Sequence, residues 1–252
     1  MSRLLLVDNS NTRTKFALAE NGELLPELRY LPTADISPRT LRRTLNGWAY
    51  SRAIICSVAP QAADTLSAAL ESPVSFISSG CCPRLLRHYP KPETLGADRI
   101  ANAAAAAAYY PLPAIAIDLG TACTFDLVTE EEGEATFAGG VISPGLQTIA
   151  DGLAAKAALL PALTPAELAE PPAPLGRSTH QALHAGLYYG YRGMLAHIVS
   201  TLATELTTKP CLVLTGGDAA LFPEFPGYTT YTDNLLTIKG ISKIAQQIYK
   251  FF

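Results

Sequence analysis

Two short polar stretches of the sequence, each beginning with an aspartate after an apolar run, contain the residue types that bind phosphate. The first, DNSNTRTK, occupies residues 8–15, and the second, DLGTACTFD, occupies residues 118–126. Phosphate binding needs backbone N–H groups that no bulky side chain screens, together with hydroxyls or a cation. Small residues and Lys15 meet these needs in the first stretch, and Gly120, Thr121 and Thr124 meet them in the second. The leading aspartates suit hydrated Mg²⁺, which binds through one or two carboxylates and phosphate oxygens.

A third turn of small residues, LTGGDA at 214–219, follows a buried apolar run. Its two glycines leave a bare backbone against which an adenosine could lie flat. Each of the three turns, taken alone, is also typical of a plain hairpin or loop, because Asn, Ser and Gly are ordinary turn residues. The three turns in this order are more specific, and they indicate a nucleotide site.

The elements that must position these turns follow a repeated order. Three antiparallel strands are predicted first, at 3–8, 14–19 and 23–31, and the last two are joined by the hairpin signal Asn21-Gly22. Helices and strands then alternate: a helix over 38–49, a strand over 52–58, a helix over 60–70, a short strand over 74–78 and an Ala-rich helix that opens at 96–99 and ends at Pro111. From residue 114 the order strand, strand, strand, helix begins again. This repetition indicates an internal duplication.

The second half continues with a helix over 146–160, a Pro-rich surface loop over 161–174 and a long helix over 178–206. The LTGGDA turn is predicted to lead from a strand into a helix, and residues 241–252 have helical periodicity. The length of 252 residues permits two modest domains. We therefore predict an N-terminal domain over 1–112 and a C-terminal domain over 113–252.

Composition excludes several classes of function. The formal net charge is −3, and the Arg42-Arg43 pair is the longest basic run, which argues against a nucleic-acid partner. The apolar stretches are too short, or too interrupted by proline, for a signal peptide or a membrane span. Five cysteines without a CxxC pair indicate reduced thiols. We expect a soluble, cytoplasmic protein with no membrane partner.

The duplicated Asp turn followed by a glycine-rich turn resembles the superfamily of acetate and sugar kinases, Hsp70 and actin. In that superfamily two related domains clasp ATP. The resemblance implies an α/β fold of two duplicated ribonuclease H-like (actin-like ATPase) domains. It further implies mixed sheets flanked by helices, with the nucleotide in the cleft between the domains.

Within that superfamily the sequence is similar to the type III pantothenate kinases over nearly its whole length. The matching motifs are DNSNTRTK at 8–15, GADR at 96–99, DLGTACTFD at 118–126, GGVISPG at 139–145 and GRSTHQALHAGLYYG at 176–190. One departure is Ser10, where the family usually has glycine; serine fits this turn if its φ is negative, with a tighter approach of backbone to phosphate. The resemblance implies ATP-dependent phosphorylation of pantothenate to 4′-phosphopantothenate, the first step of coenzyme A biosynthesis.

Asp98 is the candidate general base. From its position at a helix start alone, capping the helix is the more common role for an aspartate. The resemblance favours catalysis, with Asp98 taking the proton of the primary hydroxyl of pantothenate, and with Arg99 orienting the substrate rather than pairing with a surface glutamate. The residues implied to bind pantothenate are Tyr89, Gly96, Ala97, Asp98, Arg99 and Thr179.

The resemblance also implies the ATP and metal contacts. The implied ATP-binding residues are Asp8, Asn9, Ser10, Asn11, Thr12, Arg13, Thr14, Lys15 and Thr121. Asp8 would organise Mg²⁺ through the phosphates, and Asp118 would lie near a monovalent cation, K⁺ or NH₄⁺. Asp126 either supports the metal or closes its hairpin, and Lys15 by itself is also typical of a solvated strand residue.

The helix that begins at Thr179 carries residues suited to close helix packing at three- and four-residue spacings: Ala182, Ala185, Gly186, Tyr189, Gly193 and Ala196. Such a stripe suits a two-fold dimer and also ordinary packing on the protein's own sheet. The resemblance implies a homodimer in which Thr179 completes the pantothenate site of the partner subunit. The plain alternative for Thr179 is an N-terminal helix cap.

Two other functions fit the same fold. One is a kinase of another small alcohol or a sugar, and the other is a nucleotide-dependent regulatory protein of the actin and Hsp70 kind. The GADR motif, Thr179 and the short chain favour the pantothenate kinase over both.

Overall fold

Residues 3–222 and 224–249 are described by a computed structural model. Over these residues the chain forms two five-stranded sheets and seven α-helices. The strands are β1 Arg3–Asn9, β2 Arg13–Glu20, β3 Glu23–Pro32, β4 Arg52–Ser57, β5 Val74–Phe76, β6 Ala114–Leu119, β7 Ala122–Glu131, β8 Glu134–Pro144, β9 Cys211–Thr215 and β10 Thr230–Thr232. The helices are α1 Pro38–Thr44, α2 Pro60–Ala69, α3 Ala97–Tyr109, α4 Leu146–Lys156, α5 Pro165–Ala169, α6 Thr179–Ala203 and α7 Leu236–Tyr249.

The two sheets have the same strand order. The first runs β3-β2-β1-β4-β5, and the second runs β8-β7-β6-β9-β10 when read in the same sense. In the first sheet β1 is antiparallel to β2 and parallel to β4, and in the second β6 is parallel to β9. The predicted duplication and the predicted mixed sheets are therefore confirmed.

The hairpins at equivalent places in the two sheets use equivalent turns. Asn21 and Gly22, between β2 and β3, have φ values of 53° and 83°, and Glu132 and Gly133, between β7 and β8, have values of 54° and 78°. Two consecutive residues with positive φ are the signature of a type I′ turn, whose twist matches that of the flanking strands. The Asn-Gly sequence predicted the first turn, whereas Glu-Gly is a weaker sequence signal for the second.

The chain divides into two compact units, each with its own apolar core. The first contains residues up to 112, 128–139 and the residues from 235 on; the second contains 113–127 and 140–234. Leu5, Val7 and Phe16 lie in the core of the first unit. Ile117, Phe125 and many side chains of α6 lie in that of the second. The domain boundary that we expect after residue 112 stays a prediction.

The Ala-rich helix α3 and the C-terminal helix α7 pack closely within the first unit. A methyl group built on Gly240 of α7 would collide with the carbonyl oxygen of Ala101 in α3. The alanines at 101 and 103–106 are all buried. The small side chains at Ala101 and Gly240 therefore let the backbones of α3 and α7 approach closely.

Several predicted elements differ from the structure in type or in their bounds; the helix predicted over 38–49, for example, is α1 and ends at Thr44. The loop over 161–174 contains the short helix α5, which a capping box between Thr164 and Glu167 stabilises. After LTGGDA the chain forms a single 3₁₀ turn, Ala219–Leu221, in place of the predicted helix. The predicted C-terminal helix is present as α7, and its last predicted residues, 250–252, lie outside the described residues.

Two findings bear on the predictions that we drew from composition. In the described part of the chain, no helix has both the length and the apolar character needed to cross a membrane. All five cysteines are free thiols, and Cys56, Cys123 and Cys211 are buried within strands.

Candidate active site

The first polar turn joins β1 to β2 and places Asp8 beside Lys15. These residues are direct cross-strand partners in the antiparallel ladder. Lys15 Nζ lies 3.3 Å from Asp8 Oδ2, and their side chains are only 14% and 5% exposed. Lys15 is therefore a buried partner of Asp8 rather than a solvated strand residue.

A buried hydrogen-bond network supports this turn from beneath. The Asn9 side-chain amide donates to Thr14 Oγ1 at 2.7 Å, and Ser57 Oγ donates to Asn9 Oδ1 at 2.6 Å. Thr33 Oγ1 lies 3.0 Å from Thr14 Oγ1 and donates to the carbonyl of Ser10 at 2.6 Å. Asn9 and Thr14 therefore fix the shape of the turn.

The outer part of the turn is open to solvent. Asn11, Thr12 and Arg13 are exposed, and the guanidinium of Arg13 lies 5.1 Å from the ring centroid of Tyr30. Among the described non-glycine residues only Asn21 and Glu132 have positive φ, so Ser10 meets the condition of negative φ that its turn imposes. The side chains of residues 11–13 thus lie at the surface of the turn.

Asp98 lies in the first turn of α3, and its carboxylate folds back onto the start of the helix. Asp98 Oδ1 accepts a hydrogen bond from the backbone N–H of Arg99 at 2.8 Å. A methyl group built on Gly96 would lie 2.6 Å from Asp98 Oδ1, so glycine at 96 leaves room for this carboxylate. Asp98 is the second residue of α3 and Gly96 is its N-cap, so Asp98 is not the cap, although its carboxylate does accept from an N–H group of the first turn.

Burial gives Asp98 and Asp8 an electrostatic environment that favours their neutral forms. Desolvation raises the pKa of Asp98, and the backbone N–H and the charge of Arg99 oppose that rise without cancelling it. Desolvation also raises the pKa of Asp8 despite the neighbouring Lys15, and the charge of Asp98 adds to the rise. The two carboxylates of the first unit thus influence each other electrostatically.

Phe137 of β8 brings Tyr89 and Arg99 together. The Tyr89 ring meets the Phe137 ring edge-on at 5.2 Å between centroids, and the guanidinium carbon of Arg99 lies 5.6 Å from the same ring. The backbone N–H of Phe137 donates to the carbonyl of Leu85 at 2.8 Å, which ties β8 to the segment that carries Tyr89. Tyr89 and Arg99 thus share one buried aromatic support.

In the second unit the start of α4 holds the polar turn between β6 and β7. The carbonyl of Thr121 accepts from the backbone N–H of Gly145 at 2.9 Å and from Thr148 Oγ1 at 2.7 Å. A methyl group on Gly145 would collide with the carbonyl oxygen of Gly120, so GGVISPG ends in a glycine that must approach this turn. The Thr121 side chain itself remains exposed.

Asp118 and Asp126 lie at different depths in the same unit. Asp118, next to the end of β6, is partly exposed, whereas Asp126 of β7 is fully buried. Thr124 Oγ1 donates to Asp126 Oδ2 at 3.4 Å. This contact and its burial favour the hairpin role for Asp126.

Thr179 is the first residue of α6, but it is not the cap. Ser178 is the N-cap, and its side chain accepts from the backbone N–H of Gln181. The capping interpretation of Thr179 is therefore wrong, and the Thr179 side chain is exposed.

Comparison with known proteins places these residues in a family. Residues 4–201 match the family model of type III pantothenate kinase. A type III pantothenate kinase of Akkermansia muciniphila is 42% identical over 237 residues, covering 94% of this chain and 96% of that protein. One of Methylacidiphilum infernorum is 37% identical, covering 98% and 89%.

This chain belongs to the type III pantothenate kinase family.

Solved structures of other proteins share the fold. An activator of 2-hydroxyisocaproyl-CoA dehydratase from Clostridium difficile, solved with bound ADPNP, matches with a TM-score of 0.57 at 11% identity, over 98% of this chain and 96% of that one. An inorganic polyphosphate/ATP-glucomannokinase from Arthrobacter matches with a TM-score of 0.51 at 15% identity, over 99% and 100%. The predicted actin-like ATPase fold is therefore confirmed.

Within each unit the structure gathers part of the predicted set. The first unit holds the turn at 8–15 together with Tyr89 and 96–99, and the second unit holds Asp118, Thr121 and Thr179. Sequence reasoning missed Phe137 and Thr148, which support the predicted residues from neighbouring elements. The tight GGVISPG turn was the signal near Thr148, whereas nothing local distinguishes Phe137 from a core phenylalanine.

Proposed function

We propose that this chain transfers the γ-phosphoryl group of ATP to the primary hydroxyl of pantothenate, which yields 4′-phosphopantothenate for coenzyme A biosynthesis. The observation that carries the proposal is the family match over residues 4–201, which includes the GADR motif and both phosphate hairpins. Membership of a kinase family on an ATPase fold implies the use of ATP. The geometry of the first unit supports the remaining roles.

Asp98 is the proposed general base. A carboxylate removes a hydroxyl proton more readily when its pKa lies above the ordinary range, closer to the working pH. Burial raises the pKa of Asp98 in this direction. Arg99 and Tyr89, held on Phe137, are the proposed contacts that fix the rest of pantothenate against this base.

The turn over residues 8–15 is the proposed phosphate site. Phosphoryl transfer depends chiefly on positioning and on neutralising charge. Exposed Asn11, Thr12 and the backbone between them would bind phosphate oxygens, and Lys15 would add positive charge from beneath. Thr121, whose carbonyl is fixed by α4, is a further proposed ATP contact.

Asp8 is the proposed protein carboxylate for Mg²⁺. Mg²⁺ keeps several waters and binds through one or two carboxylates plus substrate phosphates. Among the residues that the structure describes, no group of three or more His, Cys, Asp or Glu side chains could hold a metal ion. Asp8 as a single carboxylate fits an ion that arrives with ATP. When bound at this turn, Mg²⁺ would neutralise charge on the phosphates.

The test of the function is phosphate transfer from ATP in the presence of pantothenate or of a panel of sugars. We expect product with pantothenate and only background hydrolysis with each sugar. Phosphorylation of a sugar but not of pantothenate would support the alternative small-alcohol kinase. ATP binding without transfer to any acceptor would support the regulatory alternative.

A homodimer is the proposed assembly, and the exposed stripe of α6 supports it. Ala182, Gly186, Gly193 and Ala196 are exposed, and a methyl group built on Gly186 or Gly193 would meet no atom within 4 Å. Ala185 instead packs in the core of its own unit. Packing on the protein's own sheet thus explains Ala185 but not the other small residues, which leave a face free for a second copy.

Subunit mixing tests whether Thr179 serves the partner's site. Thr179→Arg and Asp98→Asn should each be inactive, and mixing them with subunit exchange should restore one working site per heterodimer. Random exchange then gives about one quarter of wild-type activity, because half of the dimers are mixed and each has one intact site. Thr201→Arg, an exposed change on the same helix, should remain active by itself. Confirmed exchange without activity, or an active monomer, would exclude the shared site.

A further inference from the structure

Arg13 projects from the same face of the first sheet as Asp8 and Lys15. Lys15 pairs directly with Asp8 on β1 and with Tyr30 on β3, and directly paired residues project from the same face. Arg13 precedes Lys15 by two residues on β2, so its side chain projects from that face as well. Phe16, which alternates with them, lies in the core of the unit on the opposite face. Arg13 and the Asp8–Lys15 pair therefore share one face of the sheet.

The ring of Tyr30 holds the guanidinium of Arg13. Arg13 pairs with Pro32 in the β2–β3 ladder, which makes Tyr30 its diagonal neighbour, and an aromatic ring and a long side chain can meet across such a diagonal. The guanidinium carbon lies 5.1 Å from the ring centroid, within the distance at which a cation and an aromatic ring attract each other. Arg13 is exposed, and Tyr30 is 45% exposed. The contact therefore restricts a guanidinium that solvent can reach.

Arg13 carries a charge that no carboxylate neutralises in the part of the chain that the structure describes. The amine of Lys15, by contrast, lies 3.3 Å from Asp8 Oδ2. An arginine side chain stays charged throughout the physiological pH range, and its planar fork of N–H groups fits phosphate oxygens. A guanidinium can stack on a ring through its face while those N–H groups bind an anion. Arg13 therefore offers positive charge that the paired Lys15 does not supply in full.

We propose that Tyr30 is a positioning residue for ATP, because its ring holds the guanidinium of Arg13 ready for the phosphates at the turn over residues 8–15. The identity of the nucleotide rests on the proposed function, and Tyr30 lies outside the DNSNTRTK motif. A guanidinium that is restricted in advance loses less conformational freedom when phosphate binds, so the nucleotide binds more tightly. Loss of the ring should therefore weaken ATP binding and leave the fold intact.

Calorimetric titration with ATP and Mg²⁺, without pantothenate, tests this inference in the absence of an acceptor. Tyr30→Leu should weaken ATP binding about two- to fivefold, the range that a cation–π contact at an exposed site supports. Arg13→Met should weaken it about tenfold or more, because it removes the charge itself. Tyr30→Phe keeps the aromatic face and should bind ATP like wild type.

Three comparisons separate positioning from a structural role. Tyr30→Leu should unfold at nearly the wild-type Tm, because substitutions of exposed side chains usually change stability little. Tyr109→Leu is the matched control: it removes a 46% exposed ring that lies near the amines of Lys239 and Lys243, and ATP binding should not change. Combined with Arg13→Met, the Tyr30→Leu change should weaken binding no further, because the ring acts through that guanidinium.

Two outcomes would overturn the inference: wild-type ATP affinity in Tyr30→Leu, or a double variant weaker than Arg13→Met by the full effect of Tyr30→Leu. If Tyr30→Leu does not yield folded protein, Tyr30→Thr is titrated under the same criteria. Pantothenate phosphorylation is assayed separately. An active pantothenate kinase whose ATP affinity ignores Tyr30 rejects this inference alone. ATP affinity that depends on Tyr30 and Arg13, in a protein that does not phosphorylate pantothenate, rejects the proposed function alone.

Discussion

Asp98→Asn is expected to lower kcat/KM for pantothenate by at least about a hundredfold, because it removes the proposed general base. The fold should be unaffected, since Asn Oδ1 can accept the same hydrogen bond from the backbone N–H of Arg99. ATP affinity should change little. Steady-state kinetics with both substrates measures kcat/KM for pantothenate and the response to ATP, and thermal unfolding measures the stability of the fold.

The pH profile distinguishes a base from a residue that only caps α3. Burial raises the pKa of Asp98, so wild-type activity should fall as the pH drops through a value above the ordinary aspartate range. This fall in activity at low pH should be absent in Asp98→Asn. Asp64→Asn, an exposed change on α2, is the matched control and should behave as wild type. Near-normal turnover in Asp98→Asn would rule out the base.

Lys15→Met is expected to cost stability and activity together. It leaves the buried carboxylate of Asp8 without its ion-pair partner, and breaking a buried pair in this way typically costs about 3–5 kcal/mol. It also removes positive charge from the proposed phosphate site. Chemical denaturation and ATP-dependent kinetics are the measurements.

The loss of stability should depend on pH in a definite direction. The pKa of Asp8 is already raised by burial, and without Lys15 it should rise further. A group whose pKa is raised in the folded state binds its proton more tightly there, so stability falls as pH rises through that pKa. The deficit of Lys15→Met relative to wild type should therefore be smallest in acid and largest near neutral pH.

A second change separates the two effects of Lys15. Asp8→Asn combined with Lys15→Met removes both charges and should recover much of the lost stability, while activity stays low. Arg3→Met is the matched control, because it breaks a partly exposed pair with Glu20 in the same β1–β2 ladder and should cost at most about 1 kcal/mol. Equal losses for Arg3→Met and Lys15→Met would contradict the buried-pair argument.

The sequence by itself determined the order of elements, the duplication and the family. These properties depend on local signals: alternating apolar residues in β1 and β2, the Asn21-Gly22 turn and the repeated Asp-led turns at 8 and 118. Hydrophobic period and turn chemistry act over a few residues, so they can be read along the chain. Where the local signal was weak or short, as in α5 or after Gly217, the prediction was incomplete or wrong.

The tertiary structure alone decided which side chains meet. The sequence left Lys15 either as a phosphate contact or as a solvated residue, and strand register made it the buried partner of Asp8. Register also placed Thr215 beside Asp118, residues almost 100 positions apart, and the packing of β8 placed Phe137 between Tyr89 and Arg99. Partners of this kind depend on how distant strands and helices align, and no local pattern records that alignment.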